Sequence, residues 1–226
     1  MKRVTKNQLR VYSVLTFLGG STRPEKLMKR RRFLIPSPLD WQTITRPVPH
    51  PVIPVLAERG GTRLRVPLPV AVVDTREKHP FDFHRFDGWF ADVQRRPLEL
   101  GDYSIAGLEH LCVVERKDLP DLVRSFTSDR HVFVRRLQRM SQYSSRLLAI
   151  SASLSQLKSP YENSGANPNH IIQSLMAMLV GLQVPFLCTD THELGEEMVA
   201  SFLYQAHLYH WLETEGHGRF LADDDL

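Results

Sequence analysis

The chain is poor in cysteine, with only Cys112 and Cys188 among 226 residues. That excludes a disulfide-stapled secreted scaffold. Both thiols sit in apolar runs that read as strands, so buried, reduced cysteines are expected, in an intracellular protein of the cytoplasm, nucleoid or nucleus. No apolar run approaches the ~20 residues of a membrane span, and no membrane partner is expected. Lys2-Arg3 precede the apolar stretch VYSVLTFLGG, but the run is short and no A-x-A site follows, which argues against a secretory signal. The pattern G-x-x-x-x-G-K-[ST] is missing from end to end, so no P-loop ATPase is encoded. Charge of one sign is scarce by region. Residues 1–34 hold one acid, Glu25, among ten Lys/Arg, and residues 159–226 hold only Arg219 against ten acids. The mild formal charge of +4 therefore conceals a basic arm and an acidic C-terminal third. What remains, 42% hydrophobic and 24% charged, is ordinary for a globular chain.

Eight of the fifteen prolines fall between residues 36 and 69, followed late in that stretch by Gly60-Gly61. Such spacing forbids helix and is expected to interrupt any sheet ladder. Residues 1–69 thus read as a poorly ordered basic arm and Pro-rich linker, with a short amphipathic helix over 4–18 and a basic run over 29–32. The arm suits nucleic acid, or is simply solvated. From residue 70 the pattern changes to strands followed by alternating helices and strands, the order of one α/β domain over 70–226. Strands are predicted over 70–74, 98–105, 111–115, 147–150 and 184–188, with Pro185 placing the last at an edge. Helices are predicted from Asp118, where Asp118 is the cap and Pro120 lies in the first turn, over 130–143, over 167–182, and from Asp190 as cap to 213.

Within 44 positions the chain places Asp74, Glu77, Asp102, Glu115 and Lys117 at or just beyond strand ends. If Glu115-Arg116-Lys117 continues a strand, the two-residue period puts Glu115 and Lys117 on one face and Arg116 on the other. Hairpin pairing then brings Asp102 alongside. Two carboxylates beside an ammonium suit a hard divalent cation that keeps several waters, Mg²⁺ or Mn²⁺. Taken alone, the tripeptide reads more readily as a surface ion-pair cluster, since such tripeptides are common; the Gly101-Asp102 hairpin before it and the acidic cluster upstream tip the balance.

V-V-D-T-R-E at 72–77, G-D-Y at 101–103 and E-R-K-x-x-x-D at 115–121 together resemble the XPF-type structure-specific nuclease domain, over about residues 70–213. The resemblance implies a three-layer α/β/α restriction-endonuclease-like core with a mixed central sheet, here preceded by the Pro-rich basic extension. It also implies metal-dependent cleavage of branched, flapped or otherwise structured DNA in repair or recombination. Residue by residue, Asp74, Glu77, Asp102, Glu115 and Lys117 match the catalytic positions, with Asp74, Asp102 and Glu115 as the metal ligands. Arg76 and Arg116 match the arginines of the signature, Asp121 the aspartate that closes it, and Arg130 an arginine before the next helix. With Arg135 and Arg139, these arginines are the expected substrate contacts. Arg135, Arg136 and Arg139 are predicted on the exposed face of the second helix, where they would meet phosphates. Related domains pair through their C-terminal helices, so a homodimer or heterodimer is implied here as well. Two rivals stand beside the endonuclease: an inactive DNA-binding or scaffold subunit of the same fold, and a Holliday-junction-resolvase-like or restriction-type enzyme.

Overall fold

The computed structural model describes residues 55–57, 63–86 and 88–216. The expected helix over 4–18, the basic run over 29–32 and the acidic tail over 223–225 lie outside these residues. The described residues all belong to one unit, within residues 32–226. Its centre is a six-stranded mixed sheet. In chain order the strands are β3 (Val70–Val73), β4 (Asp92–Arg95), β5 (Tyr103–Ile105), β6 (Cys112–Asp118), β7 (Ser145–Ser151) and β8 (Phe186–Cys188), and the spatial order is β4-β3-β5-β6-β7-β8. β5 runs antiparallel to both β3 and β6, while β3 with β4, β6 with β7 and β7 with β8 are parallel. A separate antiparallel hairpin joins β1 (Val55–Ala57) to β2 (Arg63–Arg65).

Helices cover both faces of the sheet. One face packs α1 (Leu119–Phe126), α2 (Arg130–Met140) and α4 (Pro168–Leu182) through Leu122, Phe126, Phe133, Leu137, Ile171 and Leu175. The other face packs α5 (His192–Thr214) through Val199, Ala200 and Leu203. It also takes Phe81, Phe83, Phe86, Trp89 and Phe90 from the loop between β3 and β4. Fully burying side chains of this size contributes roughly 1.5–3 kcal/mol each. The short helix α3 (Leu154–Leu157) is closed by a Ser153–Gln156 capping box. This is the three-layer architecture expected of the sequence.

The Asp118 cap is where it was expected, its side chain accepting from the Asp121 N–H at 2.9 Å, worth about 1 kcal/mol. Pro185 does precede an edge strand, β8. Three local expectations change. Asp190 does not cap α5; it takes a positive φ of 53° and Thr191 is the cap, its side chain accepting from the Leu194 N–H. The Pro-rich segment is not free of pairing, because β1 and β2 form a ladder from Val55–Arg65 to Ala57–Arg63, and none of its six residues is a proline. Packing also begins before residue 70: Val66 is buried, the carbonyl of Pro69 accepts from the Ala91 N–H, and that of Pro67 lies 2.9 Å from His207 Nε2.

Candidate active site

β6 carries the site because it outlasts its neighbour. It pairs with β7 over its whole length, from Cys112–Ser145 to Asp118–Ser151, but with β5 only at Val114–Tyr103. Past Val114 the side of the strand that faced β5 needs another partner. Asp102 supplies it: its carboxylate accepts from the Arg116 N–H at 2.7 Å, while its own N–H donates to the Val114 carbonyl at 2.7 Å. Gly101 makes this turn possible. Its φ is +79°, and a Cβ there would lie 2.4 Å from Val113 Cγ2 and 2.8 Å from the Val114 carbonyl oxygen. No other residue fits both the conformation and the approach.

The alternation along β6 is as expected. Glu115 and Lys117 share a face, with Lys117 Nζ 3.0 Å from Glu115 Oε1 and 5.8 Å from the centre of the Phe133 ring. Arg116 points to the opposite face, over the Phe81 ring at 5.2 Å, with Ser151 Oγ at 3.2 Å and Glu77 Oε1 at 3.3 Å. Glu77 in turn accepts from the His79 N–H. Arg116 is thus built into the wall of the site, and only 10% of its side chain is exposed.

Two carboxylates fare very differently. Asp74, at the end of β3, accepts four hydrogen bonds: three from Arg76 (Nε, Nη2 and the backbone N–H) and one from the Leu98 N–H. Arg76 Nη2 also reaches the Leu98 carbonyl, and the Asp74 N–H donates to the Asp102 carbonyl. The Arg76 guanidinium, aided by the backbone donors, holds the Asp74 carboxyl down to about 2 despite its burial. Asp102 is pushed up to about 7, first by burial, then by the charge of Glu115. Glu77 adds to that, while the Arg116 N–H and Lys117 oppose it.

Glu115 is fully buried, and its two oxygens are unequal. Oε1 holds both Lys117 Nζ and Arg136 Nη1, the latter at 2.6 Å, whereas Oε2 is buried with no hydrogen-bond partner. A buried, unpaired carboxylate oxygen beside a second carboxylate driven toward its protonated form is what a missing positive charge leaves behind. The chemistry fits a divalent cation between Asp102 and Glu115. Asp74 is not drawn into that pair; among the described residues no group of three or more His, Cys, Asp or Glu side chains stands ready to hold a metal ion.

The remaining arginines separate. Arg130 Nη1 reaches Ser174 Oγ at 2.9 Å, tying α2 to α4, and Arg139 pairs with Glu99 at 2.5 Å. Arg135 is exposed. Arg136, expected on the solvent face, instead turns inward to Glu115. The signal was in the sequence: it follows Phe133 by three and precedes Leu137, on the edge of the buried stripe.

The ERCC4 domain profile matches residues 73–202. No curated protein matches the chain. Among solved structures, XPF from Aeropyrum pernix is similar at 19% identity and a TM-score of 0.49, covering 61% of this chain and 60% of that one. XPF from Aeropyrum pernix in complex with DNA gives 19% identity and a TM-score of 0.46, covering 66% of each chain. The chain thus spans less than two thirds of either solved protein. No helix among the described residues is long and apolar enough to cross a membrane. The profile takes in Asp74, the Gly101-Asp102 turn and the whole Glu115-Arg116-Lys117 strand, and with more than half of its length matched the chain belongs to the ERCC4 domain family, that of the XPF-type nuclease domain.

Proposed function

We propose that this protein is a divalent-metal-dependent DNA endonuclease acting on branched, flapped or otherwise structured DNA in repair or recombination. The observation that carries the reading is the orphaned Glu115 Oε2 beside Asp102. Asp102 and Glu115 would hold Mg²⁺ or Mn²⁺, with Asp74 one step back. When bound, the cation would offset charge on a phosphate oxygen and make a coordinated water more acidic. Lys117, on the same face as Glu115, offers its ammonium to the reacting phosphate. Arg116 shapes the wall of the site by pairing with Glu77 and lying over the Phe81 ring, and Glu77 fixes that position. Asp74 and Arg76 form a clamp that holds the Leu98–Asp102 segment through the Leu98 peptide and the Asp102 carbonyl. Arg130 and Arg135, with Arg139, extend the basic surface along α2 toward DNA. A dimer through the C-terminal helices belongs to the same proposal. α5 commits Val199, Leu203, Leu208 and Leu212 to the core, while α4 leaves Met176, Leu179 and Val180 exposed.

The test is single-turnover cleavage of labelled flap, fork, four-way and linear duplexes in Mg²⁺ and Mn²⁺. Asp102→Asn and Glu115→Gln should each lower the rate by about a thousandfold or more while DNA binding is kept or improved, since a repulsive charge is removed. Lys117→Ala should lower kcat far more than affinity. Near-normal turnover in either carboxylate variant would overturn the assignment. Retained DNA binding with no cleavage of any substrate by the wild type would favour the inactive scaffold reading.

The arm over 1–65 is proposed to add affinity by counterion release and to be dispensable for the chemical step. A chain beginning at residue 66 should keep the single-turnover rate at saturating DNA and bind less tightly at moderate salt. One beginning at residue 70 loses buried Val66 and the Pro69 contact, and should melt lower.

A further inference from the structure

Among the basic side chains on α2, Arg136 differs in kind: it is the one whose partner is a buried carboxylate of the candidate metal site. Its Nη1 lies 2.6 Å from Glu115 Oε1, on an oxygen that already carries Lys117 Nζ at 3.0 Å. Two cations therefore crowd one oxygen while the other, Oε2, has none. Lys117 is fixed on the strand and lies over the Phe133 ring, with 18% of its side chain exposed. Arg136 comes from another element, α2, and leaves 31% of its side chain in solvent. Its long stem allows it to withdraw toward water without moving the helix.

We propose that Arg136 is an exchangeable counterion built into the metal site: its guanidinium neutralises Glu115 in the metal-free protein and competes with an incoming divalent cation for that carboxylate. The inference rests on the reading of Asp102 and Glu115 as metal ligands and adds a control on their loading. Glu115 is fully buried and has Asp102 as an acidic neighbour, so the single charge of Lys117 leaves the pair of acids short and a second cation serves them while the protein folds without metal. Arg136 meets that need from the solvent side. The same charge repels a divalent ion, so the site trades metal affinity for stability of the empty state. A positioning residue, which orients a ligand for the metal, has the opposite effect, since its loss weakens metal binding.

The sign of the change in metal affinity decides the matter. Mn²⁺ is titrated calorimetrically into the full-length protein, and melting temperatures are taken in EDTA and in Mn²⁺. Arg136→Met should bind Mn²⁺ roughly fivefold or more tightly, the least expected for removing one nearby charge even where water screens it fully. It should melt lower than wild type in EDTA and recover much of that loss in Mn²⁺. Arg136→Gln keeps a neutral donor for Glu115, guards against failure of the Met variant to fold, and should show the same tightening. Arg136→Lys keeps the charge and should stay near wild type. Unchanged or weaker Mn²⁺ binding in the neutral variants would overturn the proposal while the metal site stands. A wild-type protein that takes up no Mn²⁺ would remove the metal reading itself, and this inference with it.

Discussion

Asp74 and Asp102 lie on adjoining segments of the same site, joined by a hydrogen bond from the Asp74 N–H to the Asp102 carbonyl, yet they solve opposite problems. Asp74 is surrounded by donors and is ionised under all ordinary conditions, with its carboxyl near 2. Asp102 has one backbone donor and two carboxylate neighbours, Glu115 and Glu77, and its carboxyl rises to about 7. The first arrangement stabilises a fold. The second stores a demand for positive charge that the protein leaves partly unmet. The difference teaches how to tell two environments apart: an acid whose lone pairs are all taken holds backbone, and an acid left short of donors is a candidate for a ligand.

Neutral substitution at the two positions should break the comparison most sharply. Asp74→Asn loses charge-assisted bonds to Arg76 and the Leu98 peptide and should cost about 2–3 kcal/mol, read as a lower melting temperature or denaturant midpoint. Asp102→Asn removes a repelled charge and should raise the melting temperature in EDTA. If both variants melt alike, the distinction between anchor and ligand is wrong. Gly101→Ala addresses the backbone that separates the two residues. With φ at +79° and Val113 Cγ2 at 2.4 Å from the new methyl, the turn must shift, at a cost of roughly 1–3 kcal/mol. Cleavage should fall along with stability, because the carboxylate of Asp102 moves with the turn. A Gly101→Ala protein with wild-type melting would show that the turn has slack.

The most diagnostic effect is on pH dependence. Asp102 has a folded value of about 7 against an ordinary 3.8, so the metal-free folded protein holds more protons than the unfolded chain between those limits. Its contribution to stability therefore falls as pH rises through that window. Asp74 has a folded value of about 2, so its contribution is complete above the ordinary 3.8 and is lost as pH falls toward 2. Melting curves in EDTA from pH 2 to pH 8 should show two opposed limbs. Asp102→Asn should flatten the upper one and Asp74→Asn the lower.

Much of this site was legible in the sequence, because strand alternation is a strict rule. Once Glu115-Arg116-Lys117 is taken as strand, Glu115 and Lys117 must meet, and the Gly-Asp hairpin must deliver Asp102. Less legible was everything set by neighbours distant in sequence. The resemblance makes Asp74 a metal ligand, and nothing local shows that the Leu98 N–H will also donate to its carboxylate from 24 residues away. Strand β4 is not legible in the sequence because Asp92–Arg95 is exposed at every position and has no buried face. The hairpin of β1 and β2 is not legible because its six residues fall between prolines in the sequence, which read as breaks in any ladder. For Arg136 the spacing permits an inward turn at the margin of the helix stripe, but the partner on the sheet decides which way the long side chain goes.

The late start of β5, at Tyr103, has one more consequence. Because the Arg116 amide donates to the Asp102 side chain instead of to a strand carbonyl, a backbone proton is wired to the charge state of the site. In a ¹⁵N-labelled sample that one amide resonance should follow proton uptake by Asp102, and the arrival of a cation there, without any added probe. The protein carries its own spectroscopic witness at residue 116.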